Sequence, residues 1–550
     1  MRHQNASTGI LNPRSVVVNC DTNRTTGNWR IARRLLRRPV LGVAVLVLLA
    51  TGCARGPQWL TVDQQRPIDR AYIEYPSGYE LIPVARGLNA PTAVAFDEQG
   101  TIFIAESGGG EPHIFARRQD GSQFTVYPLG TRIPFTPIRT GTRIFGPIGG
   151  MIVHAGRVYV THRDADRKGV ITAFTYDGRP TTIVADLPAQ GDYGATDLAL
   201  HPNGRLFFGV GSATNSGVVG LDNYSLGWLR KYRSVCDVPA QELKLNPYRF
   251  DTPNPWAGLF GGDSISVTGS QQAFGTSTRT RVRPATNARP NAALFSVSPT
   301  GGDVRVEATG IHVPRGLAFN EFNRLFCTNN GMELRGTRPV KDDNDALLRI
   351  VPGTDYGWPD FSGDLQPISG ARFQPPVWMI IKTGYPELSF LIDRPSSNLA
   401  NPDRNTLVAG VFGPLAGAAR FAFVPPEGSF KQFRGSAIVA LWGDRAPFAT
   451  NGMKMTGPTG YKVVRVDTDA KEVTDFVHNT SGLPLSQQDD ASIGLERPID
   501  IKFGPDGAMY LLDFGAATTK MSGQVKATKK SGALYKLVPL PVAPATQPES

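Results

Sequence analysis

Two carboxylates stand at the same place in two copies of a repeated phrase, Asp197 in ATDLAL and Asp500 in PIDIKF. A strand lining a channel would carry both near the axis. Carboxylates brought together from separate elements suit a hard cation such as Ca²⁺, or proton transfer, because hard ions take oxygen ligands from several sides. The alternative is that each caps a turn or accepts backbone N–H bonds. Arg315, Arg420, Arg445 and Lys462 lie near strand ends and are candidate anion binders, although charged residues at such places are commonly just solvated. His312 is the candidate acid or base, against the alternative of a hydrogen-bonded packing residue beside Val313. His154, His162 and His201 fall in or near turns and carry no catalytic expectation. The SATNSG string lacks the lysine of a phosphate-binding loop. No Cys-x-x-Cys or His-rich cluster suggests a transition-metal site.

The elements that must position these groups recur six times: an apolar strand, a turn rich in Gly, Asp and Asn, and a second apolar strand. The copies begin at Pro91, Ile148, Ala195, Pro314, Gly417 and Pro498. One hairpin cannot bury its own apolar face, and radial repetition of sheet units solves that for all copies together. Outer strand pairs begin at His113, Gly169, Ala292, Asp345 and Gly460, whereas the sixth, GALYKLVPL from Gly532, supplies one strand only. Its partner is available near the other end of the chain as ELIPVARGL, Glu80 to Leu88. The expectation is an all-β, six-bladed β-propeller over residues 80–540, closed by pairing these two segments. Asp120-Gly121, Asp177-Gly178, Asn203-Gly204 and Asp506-Gly507 fit tight hairpin turns that need positive φ. Long insertions at 213–291 in the third blade and 356–413 in the fourth point to a site-bearing face. Trp358, in YGWP, is expected to wedge between blades.

The first 53 residues read differently. Arg33, Arg34, Arg37 and Arg38 precede an apolar run from Val40 to Ala50, then Thr51-Gly52-Cys53, the pattern of a bacterial lipoprotein signal. The run is shorter than the roughly 20 residues a spanning helix needs. The expectation is a signal with lipobox over 1–53, cleaved before Cys53, lipid on Cys53 holding the protein to the membrane in the cell envelope, a tether over 54–79 and an unstructured tail over 541–550. The formal charge of +11 belongs mostly to this segment: 1–53 holds eight Arg and one Asp, leaving 50 basic against 46 acidic residues. That balance gives no reason to expect nucleic-acid binding. Cys236 and Cys327 are read either as a pair or as free thiols, and the oligomeric state is not fixed by the sequence.

Four strings carry a resemblance. NNGMELRGTRPVKDDNDALLRIVPGTDYGWPD from Asn329, FRGSAIVALWGD from Phe433, GYKVVRVD from Gly460 and RPIDIKFGPDGAMYLLDFG from Arg497 occur in this order. Together they resemble the soluble quinoprotein glucose and sorbosone dehydrogenases, over roughly Gly78 to Leu540. The resemblance implies a six-bladed propeller that binds pyrroloquinoline quinone (PQQ) at one end of its channel, often with Ca²⁺. It implies oxidation of a sugar or an aldehyde, with a histidine taking the hydroxyl proton as hydride passes to the quinone. The family's catalytic histidine falls on Tyr193, and its Arg-Asn pair falls on His312-Val313 with Arg315 close by. LWGDRAPF leaves Arg445 as the cation of a third family string, and Asp345 is what remains of a fourth. The expected site is therefore Tyr193, Asp197 and His312 for catalysis, with Arg315, Arg445, Lys462 and Asp345 for the cofactor. Asp197 and Asp500 are the expected metal ligands. Beside this dehydrogenase stand two other readings: a propeller without cofactor that binds a ligand or protein partner, and a metal-assisted lactonase-type hydrolase resting on Asp197 and Asp500.

Overall fold

The computed structural model describes residues 58–65, 67–108, 111–128, 143–258, 263–379, 387–453, 459–489 and 494–541. The expected signal, the Cys53 expected to carry lipid and nearly all of the tail lie outside these residues. No helix among the described residues is long and apolar enough to cross a membrane.

Six antiparallel sheets form the blades of a propeller, as the repeats imply. The innermost strands are Pro91–Phe96, Met151–His154, Ala195–Leu200, Pro314–Phe319, Ala418–Phe423 and Pro498–Phe503. Each packs against the innermost strand of the next blade, and the sixth packs against the first, so the ring is closed. In the sixth blade Tyr79–Leu88 pairs with Gly532–Pro539, running from Tyr79 opposite Pro539 to Leu88 opposite Gly532. The last sheet thus takes its fourth strand from the other end of the ring, leaving no unpaired gap at the closure. The expected turn glycines Gly121, Gly178, Gly204 and Gly507 all have positive φ, between 72° and 86°.

Two expectations need adjustment. The outer pair of the fourth blade is not one continuous hairpin from Asp345. Asn344–Arg349 pairs instead with Val408–Pro414, which follows the long insertion. After Arg349 the chain turns, and the Tyr356 and Trp358 N–H groups donate to Thr309 and Gly310 of the neighbouring blade at 2.8 and 2.9 Å. Those bonds commit the YGWP segment to the third blade. The segment read as a tether also packs on the ring from residue 58 onward. Gln58–Trp59 extends the sixth blade and Ile73–Glu74 extends the fifth. Trp59, Ile68, Ile73 and Tyr75 join the hydrophobic core shared by blades five, six and one, which explains why this stretch adheres.

Apolar side chains fill the spaces between neighbouring blades, leaving the polar residues of the inner strands on the channel side. Cys236 and Cys327 are both free thiols, the latter buried within its strand.

Candidate functional site

The third residues of three innermost strands form a charged belt in mid-channel. They are Asp197 in the third blade, Arg420 in the fifth and Asp500 in the sixth. Asp197 Oδ2 accepts the Leu317 N–H at 3.0 Å, and Asp500 Oδ2 accepts the Val94 N–H at 3.0 Å. Each carboxylate therefore ties its blade to the innermost strand of another. Arg420 Nε lies 3.1 Å from Asp500 Oδ2, while its Nη1 donates to the Gly149 carbonyl at 2.5 Å. Gly149 belongs to the second blade, opposite the fifth in a six-membered ring, so this guanidinium crosses the channel axis. Lys502 Nζ adds positive charge 3.6 Å from Asp500 Oδ1. Gly150 is required beside the belt, because a Cβ there would come within 2.5 Å of Asp197 Oδ1. Burial raises the Asp197 pKa, and Lys502 and Arg420 oppose that shift.

The two carboxylates expected to hold a metal thus each commit Oδ2 to a backbone donor, and Asp500 also meets Arg420 and Lys502, while Oδ1 of each has no hydrogen-bond partner. Among the described residues no group of three or more His, Cys, Asp or Glu could hold a metal ion. Ca²⁺ does not fit this donor set.

A second cluster lies at the channel mouth, where the innermost strands begin. Tyr193 precedes the third inner strand and His312 precedes the fourth; their rings meet edge to face at 5.1 Å. His312 is buried and its ring stacks on Trp358 at 5.9 Å. His312 Nδ1 lies 2.9 Å from the Asn330 carbonyl oxygen, which can only accept, so the proton resides on Nδ1. Nε2 then carries a lone pair and has no hydrogen-bond partner. Burial lowers the His312 pKa to about 4, keeping the ring neutral at neutral pH. Burial pushes the Tyr193 phenol up to about 12, with Glu333 adding to the shift.

Arg315 is the second residue of the fourth inner strand and is exposed, its exposure being to the channel. Protein nonetheless surrounds the guanidinium closely: desolvation, then Arg420 and Arg445, lower its pKa to about 10. Arg445 follows the second strand of the fifth blade and meets Glu333 only at 3.5 Å. Beneath them lies a charge nest that the sequence reading did not include. Buried Arg335 contacts Asp192 Oδ2 at 2.8 Å, Glu333 Oε2 at 2.5 Å and Asp222, and donates to the Tyr193 hydroxyl at 3.3 Å. Burial raises Asp222 to about 6 despite Arg335. Glu333 and Arg335 lie within the NNGMELRG string, but nothing in an i, i+2 spacing marks a buried ion pair.

The remaining expected residues are elsewhere. Asp345 clamps the fourth blade to the fifth, accepting the Gly331 and Ala418 N–H groups at 2.9 and 2.8 Å. Burial raises its pKa to about 6. Lys462 pairs with Asp475 at 2.6 Å across the outer strands of the fifth blade, both side chains being partly exposed. The structure therefore brings together Tyr193, His312, Arg315 and Arg445, places Asp197 and Asp500 one step deeper, and leaves Asp345 and Lys462 in structural contacts. Trp358 packs between the two long insertions, its indole donating to the Asn215 carbonyl at 3.3 Å.

No family model matches this chain. No curated protein matches it either. Solved structures similar to it include PQQ-dependent sugar dehydrogenases. One is the PQQ domain of a pyranose dehydrogenase from Coprinopsis cinerea, at 14% identity and a TM-score of 0.47, covering 86% of this chain and 98% of that one. Another is the PQQ-bound aldose sugar dehydrogenase from Streptomyces coelicolor, at 14% identity and 0.42, covering 84% and 97%. A gluconolactonase from Xanthomonas campestris is also similar, at 12% identity and 0.34, covering 88% and 95%. They leave the chemistry of this chain to its own residues.

Proposed function

We propose that this chain is a quinoprotein oxidoreductase of the sugar or aldehyde dehydrogenase type, working at the channel mouth with His312 as its base. The observation that carries the reading is the buried, neutral His312, whose Nε2 lone pair has no partner. PQQ presents carboxylates and quinone oxygens. Arg315, which faces the channel, and Arg445, held only loosely by Glu333, are the donors that suit them. When bound, the quinone supplies the acceptor for hydride, chemistry that no side chain offers.

The rest is work for the protein's own groups. His312 Nε2 takes the proton of the substrate hydroxyl. The Asn330 carbonyl fixes the tautomer that leaves this nitrogen free, and Trp358 holds the ring plane. Burial makes the imidazole a weak base, and the Glu333 carboxylate favours the protonated ring that follows. Tyr193 stays a neutral phenol; its oxygen accepts from Arg335, so its own proton is free to donate to a substrate oxygen. The lactonase-type reading has less support, because Asp197 and Asp500 each commit one oxygen to a backbone N–H and no third acidic or His ligand joins them among the described residues.

The protein is proposed to act in the cell envelope, anchored through lipid on Cys53, as its leader implies. A Cys53→Ser variant then leaves the membrane fraction. For the chemistry, calorimetric titration of PQQ into the purified protein should show binding, and dye reduction should follow addition of aldoses or sorbosone. PQQ binding without turnover would reduce the site to a ligand-binding module, and no binding at tens of micromolar would remove the quinone.

A further inference from the structure

A second concavity lies away from the channel, between the outer strand of the third blade, Arg305–Thr309, and the two long insertions. Its volume is about 650 Å³, within the roughly 300–1,000 Å³ usual for small-molecule sites. Its chemistry is one-sided. The wall carries four carboxylates and five carboxamides but, among the described residues, no lysine, arginine or histidine. Asp355 is already paired with buried Arg394 at 2.9 Å, and the other three carboxylates make the wall unfavourable to an anion. The carboxamides include Gln241, Gln271, Asn291 and Asn401, and Trp358, only 7% exposed, contributes to the same wall. Neutral amides around an aromatic ring match a polyhydroxylated ligand, whose hydroxyls both donate and accept while its C–H face covers the ring.

One wall group is left without its bond. Gln271 is only 5% exposed, and its Oε1 has no partner. Its backbone is held at a φ of 50°, with its N–H donating to the Gly217 carbonyl at 2.8 Å. A buried carbonyl oxygen without a donor is unfavourable by about 1–3 kcal/mol, and a ligand hydroxyl that displaces the wall enough to reach it would satisfy it. The neighbouring carboxamides are anchored: Gln241 Nε2 donates to the Ser397 carbonyl at 2.7 Å, and Asn291 Nδ2 donates to Asp237 at 3.1 Å. The cleft is thus held open by its own hydrogen bonds and keeps one acceptor unused.

We propose that this peripheral cleft binds a neutral carbohydrate, with Gln271 Oε1 accepting from one hydroxyl and Trp358 supplying the apolar contact. Trp358 also stacks on His312, so the cleft and the channel mouth share one indole as their common wall. The site is independent of whether a quinone binds at the mouth.

The test uses the full-length protein, without quinone, titrated with cellotriose, maltotriose and xylotriose by calorimetry and tryptophan fluorescence. At least one should bind saturably, and an acidic trisaccharide carrying uronate units should not. Gln271→Met, which keeps the side-chain length but removes the amide, should weaken binding at least about fivefold. Asn401→Ala, on an exposed loop that leaves the core untouched, should weaken it about threefold, so the proposal survives if the first variant fails to fold. Absence of saturable binding up to about 10 mM overturns the proposal. Binding that survives both cleft variants but is lost in Arg315→Met overturns it too, because the sugar would then sit at the mouth. Equal affinity for the acidic trisaccharide contradicts the charge argument and has the same consequence.

Discussion

At mid-channel Asp197 and Asp500 are each tied to a backbone N–H of another blade, with Arg420 and Lys502 beside Asp500, whereas at the mouth Arg315 and Arg445 gather around Tyr193 and a His312 whose Nε2 has no partner. Both levels have charged side chains on or beside the innermost strands, so residue type alone does not separate them. What separates them is whether their bonds run from blade to blade. The belt carboxylates accept backbone N–H groups and face internal cations. At the mouth, Arg315 has desolvation and two nearby guanidinium groups acting against its charge, and His312 Nε2 has no partner. Bonds that run from blade to blade give the belt a structural role, although Asp197 Oδ1, Asp500 Oδ1 and Arg420 Nη2 have no hydrogen-bond partner; the perturbed His312 and Arg315 at the mouth are the groups placed to meet a ligand.

The largest effect should come from His312→Gln. The amide can still donate to the Asn330 carbonyl, but the lone pair is lost, so dye reduction should fall by about 10²–10⁴-fold with the urea midpoint nearly unchanged. Equal activity in the variant would end the comparison, since the mouth would then hold no base. A pH series sharpens the point. The folded pKa of about 4 lies below the ordinary 6.5, so between these values the unfolded chain binds more protons than the folded one. Stability therefore rises with pH through this window, and this contribution is lost as pH falls toward 4. His312→Gln should flatten that slope, and the acid limb of activity in the parent should lie near pH 4, well below that of a solvated histidine.

Asp500→Ala comes next and tests the belt. It leaves buried Arg420 without its carboxylate and the Val94 N–H without an acceptor, a loss of about 3–5 kcal/mol by the usual effect of breaking a buried pair. The denaturant midpoint should drop accordingly. A variant with an unchanged midpoint and abolished dye reduction would instead move the belt into the reaction.

The ring itself was legible because it is written in repeated apolar strands and turn glycines, and even the closing strand announced itself as a lone segment lacking a neighbour. The outer strand Val408–Pro414 was hidden by the insertion before it, and by the YGWP segment, whose bonds to Thr309 and Gly310 are long-range. For the site, the sequence supplied the right residue types but not their depth. Asp197 and Arg315 occupy consecutive registers of equivalent strands, and only the pairing of Asp197 with Leu317 assigns it to the scaffold. Asp345 shows the same ambiguity: a carboxylate in a family-like string is a blade clamp once its two N–H donors are known. The nest around Arg335 depends on Asp192, Asp222 and Glu333 converging from three segments, which no local pattern records.

Two milder substitutions bracket the comparison. Arg315→Met removes a desolvated cation that has no carboxylate partner, so stability should hold or rise slightly. The affinity for an anionic quinone should meanwhile fall by about 1.5–3 kcal/mol, which is roughly ten- to a hundredfold. A large loss of stability would show that Arg315 belongs with the belt. Lys462→Ala lies at the other extreme. Its partner Asp475 is on the neighbouring strand, and the two side chains are 35% and 42% exposed. Water screens such a pair, so the change should shift stability by less than about 1 kcal/mol and leave turnover untouched. If Lys462→Ala instead impaired quinone binding, proximity to the channel mouth would be the wrong criterion for membership of the site, and Arg315 and Arg445 would lose their claim along with it.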